Sequence, residues 1–283
     1  MSIGGRSGLV LGGGGITGIA WELGVLAGLA EVGVDLANAD LIVGTSAGSV
    51  VGAQITSGTA VEALYRRQLE PASNELAARL GSRQKLGYLA AMIRSRGNVT
   101  RLGHHLGAMS MSRASTGALP SVEQRLAVIS SRLPSTEWPD RDLRVTAVDA
   151  HSGEFRVITR RDGVPLVDAV ASSCAVPGVF PPIPIGDRMY IDGGFRSTAN
   201  ADVAAGCARI VVLAPLPRSM GPIRGPQRQL DQIDVTSTVI SPDSLSRAAI
   251  GDNVLDPAAR RGAAEAGRTQ AATVLEKVRA VWS

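Results

Sequence analysis

The chain has 283 residues, enough for one large α/β domain or two small ones, with a full core. Hydrophobic residues make up 45%, charged residues 19% and aromatics only 3%, so Ala, Val, Leu and Ile must build the interior. Two cysteines, Cys174 and Cys207, stand far apart, which argues against a disulfide framework or a zinc site and for a reducing, cytoplasmic setting.

The apolar first thirty residues contain four consecutive glycines and Glu22, so neither a targeting segment nor a membrane span is expected there. Residues 7–11 read as a strand and about 18–32 as a helix, joined by Gly12-Gly13-Gly14-Gly15-Ile16-Thr17-Gly18. Glycines let the backbone cup outward-facing N–H groups, and a helix N-terminus adds partial positive charge, so this turn suits an anion. One candidate anion is a dinucleotide pyrophosphate, since Gly13-x-Gly15-x-x-Gly18 satisfies that fingerprint literally. The fingerprint also needs an acid at the end of the second strand, and Asp35 and Asp40 fall before it. The other candidate is the oxyanion of an acyl-transfer intermediate.

Residues 40–43 form the second expected strand. It runs into Gly44-Thr45-Ser46-Ala47-Gly48 and then a helix-compatible stretch, the layout of a nucleophile elbow with Ser46 at the apex. A side chain at Gly44 or Gly48 would crowd such a turn. No strand signal follows between residues 59 and 132. Leu86, Leu89 and Ile93 share one helical face, and Leu102, Leu106 and Met109 share another, so residues 60–132 read as a helical insertion able to serve as a lid. Within it, residues 65–113 carry nine Arg and Lys against Glu70 and Glu75. That charge reads either as a solvated face or as a surface for an anionic membrane; it lacks the motifs of nucleic-acid recognition.

Residues 143–149 and 155–159 read as a hairpin turning through His151-Ser152-Gly153-Glu154. A short strand at 189–191 ends at Asp192, strands follow at 209–214 and 235–240, and a helix over 257–281 ends the chain. Residues 215–226 form a long Pro- and Gly-rich loop. Strands alternating with helices predict an α/β fold whose mainly parallel central sheet is sandwiched between helix layers, as one domain over residues 1–283 with a C-terminal helix from 256.

A nucleophilic serine needs a base. His104 and His105 are neighbours on a helical segment and His151 sits in a turn, so surface or capping roles suit all three better. A carboxylate can serve instead. The best placed is Asp192, in Tyr190-Ile191-Asp192-Gly193-Gly194, although Asp-Gly is also an ordinary turn signal. Asp149 ends a strand too, in a hairpin context that makes it a turn former.

Taken together, Gly13-Gly14-Gly15-x-x-Gly18, Gly44-Thr45-Ser46-Ala47-Gly48, Asp192-Gly193-Gly194 and the stretch of residues 171–182 resemble, in order and spacing, the patatin-like phospholipase family. The resemblance covers roughly residues 7–205. It implies a dyad with Ser46 as nucleophile and Asp192 as base, an oxyanion hole at Gly13, Gly14 and Gly15, a lipid ester as substrate, and neither metal nor cofactor. Residues 171–182 are expected to line the acyl pocket, the alternative being plain core packing. The family usually carries Arg or Lys just before the last glycine of the oxyanion motif; this chain has Thr17, so either its glycine loop is held otherwise or the chain is a weakly active lipid-binding relative.

Overall fold

The computed structural model describes residues 5–71 and 81–282. The chain forms β1 (Ser7–Leu11), α1 (Gly15–Glu31), β2 (Leu41–Gly44) and α2 (Ala47–Ile55). The helices α3 (Val61–Leu69), α4 (Ser82–Ser95), α5 (Val99–Ser115) and α6 (Val122–Arg132) follow. Next come β3 (Asp142–Asp149), β4 (Phe155–Ile158), α7 (Leu166–Ser173), β5 (Ile183–Ile185) and β6 (Arg188–Asp192). The chain ends with β7 (Arg209–Leu213), α8 (Pro226–Leu230), β8 (Thr236–Ile240), α9 (Ser244–Ile250) and α10 (Arg260–Trp282). Arg79 and Glu75 of the basic segment lie outside the described residues.

β8, β7, β1, β2 and β3 are parallel neighbours. The rest of the sheet is antiparallel: β4 folds back on β3, and the β5–β6 hairpin joins β3 as well. The sheet is therefore mainly parallel, as expected, with an antiparallel portion at the β3 side. The short strand β5 has no signal of its own in the sequence, because Pro184 sits at its middle and only an edge strand tolerates that.

The central strands are buried on both faces, and their side chains alternate between two cores. Leu9, Leu11, Ile42, Val211 and Leu213 face a large core shared with α1, α2, α7 and α10. Val10, Val43, Ile210 and Val212 face a smaller one with Ala199, Ala201 and Leu230. α1 is buried on nearly every face, as a helix apolar all round must be. α10 lies along it, and the Trp21 indole N–H donates to Gln270 at 3.0 Å.

In the insertion, Leu102 and Leu106 of α5 pack with Val148, Ala150 and Ile191, as their spacing predicts. The face shared by Leu86, Leu89 and Ile93 on α4 is turned to solvent instead. α4 anchors through its opposite side, where Ala91 is buried and the Tyr88 hydroxyl donates to the Pro177 carbonyl at 2.7 Å.

Candidate active site

Strand register brings three distant motifs to one level. Leu11 pairs with Gly44, and Gly44 with Val145, so Gly13 and Ser46 both lie two residues past that line, level with Ala147. Ala147 pairs with Asp192. Val145 pairs with both Gly44 and Ile158, and Val148 with both Phe155 and Ile191. A strand has two edges, so β4 takes one edge of β3 while β2 and β6 share the other, end to end and running toward each other. Their ends meet at Ser46 and Asp192.

The backbone at Ser46 has φ 51° and ψ −116°, a conformation that a residue with a Cβ rarely adopts. The surroundings hold it there. The Ser46 N–H donates to the Ser173 hydroxyl at 2.9 Å, and its carbonyl accepts from the Ser49 hydroxyl at 2.7 Å and the Cys174 thiol at 3.2 Å. A Cβ on Gly48 would stand 2.1 Å from the Leu11 carbonyl oxygen, so only glycine lets α2 start so close to β1. Ser173 and Cys174 fall in the 171–182 stretch and Ser49 in the expected helix, but nothing in the sequence points to their bonds with Ser46.

The glycine loop is held by backbone. The Gly12 N–H donates to the Leu213 carbonyl at 2.9 Å and the Gly13 N–H to the Thr198 carbonyl at 2.8 Å. An N–H already pointed at a carbonyl is not a donor for a ligand, so Gly13 leaves the expected set of oxyanion donors. Gly14 caps α1 and Gly15 opens it, and helix geometry gives neither N–H an intrahelical acceptor. Gly15 has φ 60°, and a Cβ there would stand 2.5 Å from the Val254 carbonyl oxygen. Buried Thr17 ties the same segment down: its N–H and its hydroxyl both reach the Val254 carbonyl, at 3.2 and 3.3 Å. That is how this loop is held without a cation at position 17.

Asp192 is buried. Its carboxylate accepts from the Gly194 N–H at 2.7 Å and shares the cavity with Ser46. Burial pushes its pKa up to about 6; the Ser46 hydroxyl, the bond from Gly194 and the Arg125 guanidinium pull the other way without cancelling it. Arg125 reaches in from α6, stacked 3.7 Å over the Phe180 ring, with a guanidinium N–H on the Cys174 carbonyl at 3.3 Å. Burial also pushes the Cys174 thiol up, so Cys174 is a packed thiol rather than a thiolate. The histidines lie elsewhere. The His104 ring nitrogen meets the His151 carbonyl at 2.5 Å, and neither residue borders Ser46. Asp149 accepts from the His151 and Ser152 N–H groups and pairs with Arg188 at 2.9 Å, the turn former expected of it.

Ser46, Asp192, Gly14 and Gly15 open on a cavity of about 1280 Å³. Its walls are mostly apolar: Ile16 and Ile19 from α1, Val176 and Phe180 from residues 171–182, and Leu216 and Met220 from the 215–226 loop. Among the described residues, no His, Cys, Asp and Glu group has the arrangement of a metal site, and no helix is long and apolar enough to cross a membrane. A family model described as Patatin-like phospholipase matches residues 9–205. The chain belongs to the patatin-like phospholipase family. Family membership supports a lipid-hydrolase function. Among solved structures, VipD from Legionella pneumophila is similar at 14% identity and TM-score 0.48, over 96% of this chain and 67% of that one. The type III effector protein ExoU is similar at 17% identity and TM-score 0.41, over 96% of this chain and 53% of that one, so this chain spans about half of ExoU's length. No curated protein sequence matches the chain. The patatin-like match holds all three glycine motifs, but the cavity walls at residues 215–220 and 247–255 lie beyond it.

Proposed function

We propose that the protein is a phospholipase A-type serine esterase that cleaves carboxylic esters of lipids through a Ser46–Asp192 dyad. The observation that carries this reading is the head-on meeting of β2 and β6, which sets a strained serine against a buried carboxylate inside a large apolar cavity. Asp192 takes the Ser46 proton as Oγ attacks the ester carbonyl carbon. The tetrahedral oxyanion forms against the N–H groups of Gly14 and Gly15, joined by that of Ala47 at the start of α2, each worth about 3 kcal/mol. Collapse expels the alcohol, which leaves with the proton held by Asp192. Water then attacks the acyl-enzyme with Asp192 again as base, releasing the fatty acid and restoring Ser46.

A carboxyl with a pKa of about 6 suits this work, being mostly ionised at neutral pH yet far more basic than an exposed aspartate. The N-terminal dipole of α2 favours the developing negative charge on Ser46. The reading includes a cytoplasmic protein that meets an anionic membrane peripherally, with the basic 65–113 region as its first candidate surface. Treatment with a fluorophosphonate ester and intact mass measurement tests the chemistry: one adduct is expected on the wild type and none on Ser46→Ala. An adduct that survives in Ser46→Ala would refute the assignment of the nucleophile.

A further inference from the structure

Among the described residues, seven large hydrophobic side chains are exposed. Six of them lie on just three segments: Leu86, Leu89 and Ile93 on α4, Leu216 and Met220 on the 215–225 loop, and Leu245 on α9. Scattered exposed apolar residues are normal, but clustering is not. Each of the three segments also walls the cavity, through Tyr88 of α4, through Leu216 and Met220, and through Arg247 and Ile250 of α9. The exposed residues therefore lie on the segments that also wall the cavity leading to Ser46, with Leu216 and Met220 at the cavity itself.

The segments are also joined to one another. Ile223 of the loop packs in one cluster with Ala91 of α4, and Gly221 lies against the Met92 sulfur. Tyr88, Ala91 and Ser95 turn one side of α4 inward, which leaves Leu86, Leu89 and Ile93 on its outer side by helical spacing. The charges on these segments have a single sign. They carry Arg83, Lys85, Arg94, Arg218, Arg224 and Arg247, all exposed, and no Asp or Glu. Asp252, just past α9, is the exposed carboxylate at the mouth.

We propose that this rim is the face by which the protein docks on an anionic bilayer, with the cavity opening directly onto the lipid. The exposed Leu, Ile and Met side chains enter the acyl boundary while the six cations stay at the headgroup phosphates. The proposal rests on the lipid-hydrolase reading of Ser46. It moves the membrane surface from the whole basic stretch 65–113 to α4 together with two segments outside that stretch. The other basic residues there are placed differently; Arg66, for instance, pairs with Glu62 along α3 at 3.0 Å. Charge decides the partner: a rim of apolar residues among unopposed cations complements a phosphate-bearing surface, whereas a second copy would set those cations against each other.

Binding is separated from catalysis in a Ser46→Ala background, by co-sedimentation with phosphatidylcholine vesicles with and without phosphatidylglycerol. Adding Leu86→Gln, Leu89→Gln and Ile93→Gln is expected to lower partitioning at least about tenfold on the anionic vesicles. Adding Arg83→Gln, Lys85→Gln and Arg94→Gln instead is expected to remove most of the preference for anionic vesicles. With Ser46 restored, the Leu/Ile variant should lose vesicle hydrolysis while keeping its rate on p-nitrophenyl butyrate and its fluorophosphonate adduct. These sites are exposed and glutamine is a good helix former, so melting temperature should hold. Unchanged partitioning, or equal loss on vesicles and soluble ester, would overturn the proposal. So would a wild-type dimer that the Leu/Ile substitutions convert to monomer, since the face would then be a contact between copies. Absence of the adduct on wild type would strike the hydrolase reading alone and leave the docking face to be judged by partitioning.

Discussion

Replacing Asp192 with Asn should destroy turnover and yet make the protein more stable, and the two effects share one cause. Burial lifts the Asp192 carboxyl from an ordinary 3.8 to about 6. A rise of roughly two units corresponds to about 3 kcal/mol of preference for the neutral form. The folded protein binds this proton more tightly than the unfolded chain does, so ionisation works against the fold. The cost is small below about pH 4, grows as pH climbs toward 6 and is complete above about 7. The amide introduced by Asp192→Asn would carry no charge at any pH and would still offer an oxygen to the Gly194 N–H, while its NH₂ group meets the Ser46 hydroxyl less well. A net gain of about 1–2 kcal/mol at pH 8 should remain, or a rise of roughly 2–8 °C in melting temperature. Ester hydrolysis should fall by at least about a hundredfold with the base removed. Scanning calorimetry of both proteins at pH 4 and pH 8, beside a hydrolysis assay, checks the pair of effects. A melting advantage equal at both pH values, or a loss at pH 8, would refute the buried-charge argument; retained turnover would refute the dyad.

Three further outcomes follow from the same geometry. The acid limb of kcat/KM should lie near pH 6, and Arg125→Met should move it to higher pH, because the guanidinium charge favours the ionised carboxylate; Arg125→Lys should restore most of the shift, and an unmoved limb would mean that Asp192 is not the titrating base. Gly48→Ala should destabilise the fold by more than about 3 kcal/mol in urea unfolding, since the added Cβ would have to displace the carbonyl group and Cβ of Leu11 in the central strand β1; a loss below about 1 kcal/mol would show that the elbow can relax. Burial pushes the Glu22 carboxyl well up and so favours its neutral form, and Glu22→Gln should change stability by less than about 1 kcal/mol at acidic pH; a collapse of stability there would refute the effect of burial.

Much of the candidate site is legible in the sequence because it is built from short-range features. A strand end, a glycine and a helix start lie within a few residues at Gly44–Gly48 and again at Gly12–Gly18, and local sterics suffice to predict both turns. Asp192 is different. Its chain neighbours make an ordinary turn, and its meeting with Ser46 depends on β6 running antiparallel along the edge of β3 that β2 vacates. Register of that kind is set by tertiary pairing and leaves no local trace. The same holds for Gly13, whose N–H is taken by the Thr198 carbonyl from a loop 185 residues away in sequence.

α4 shows the limit most clearly. Helical spacing groups Leu86, Leu89 and Ile93 as well as it groups Leu102 and Leu106 on α5, for periodicity records which residues share a face and not what lies against it. On α5 the answer is the end of the sheet; on α4 it is solvent. The difference is set by Tyr88, which faces the cavity, and Ala91, which packs with Leu102, Leu106 and Ile223; together they claim the inner side of α4 and so oblige the apolar stripe to point away from the protein. An apolar stripe turned outward beside the mouth of a lipid hydrolase is costly in water. A bilayer is the surroundings in which that cost disappears, and in which the substrate is already present.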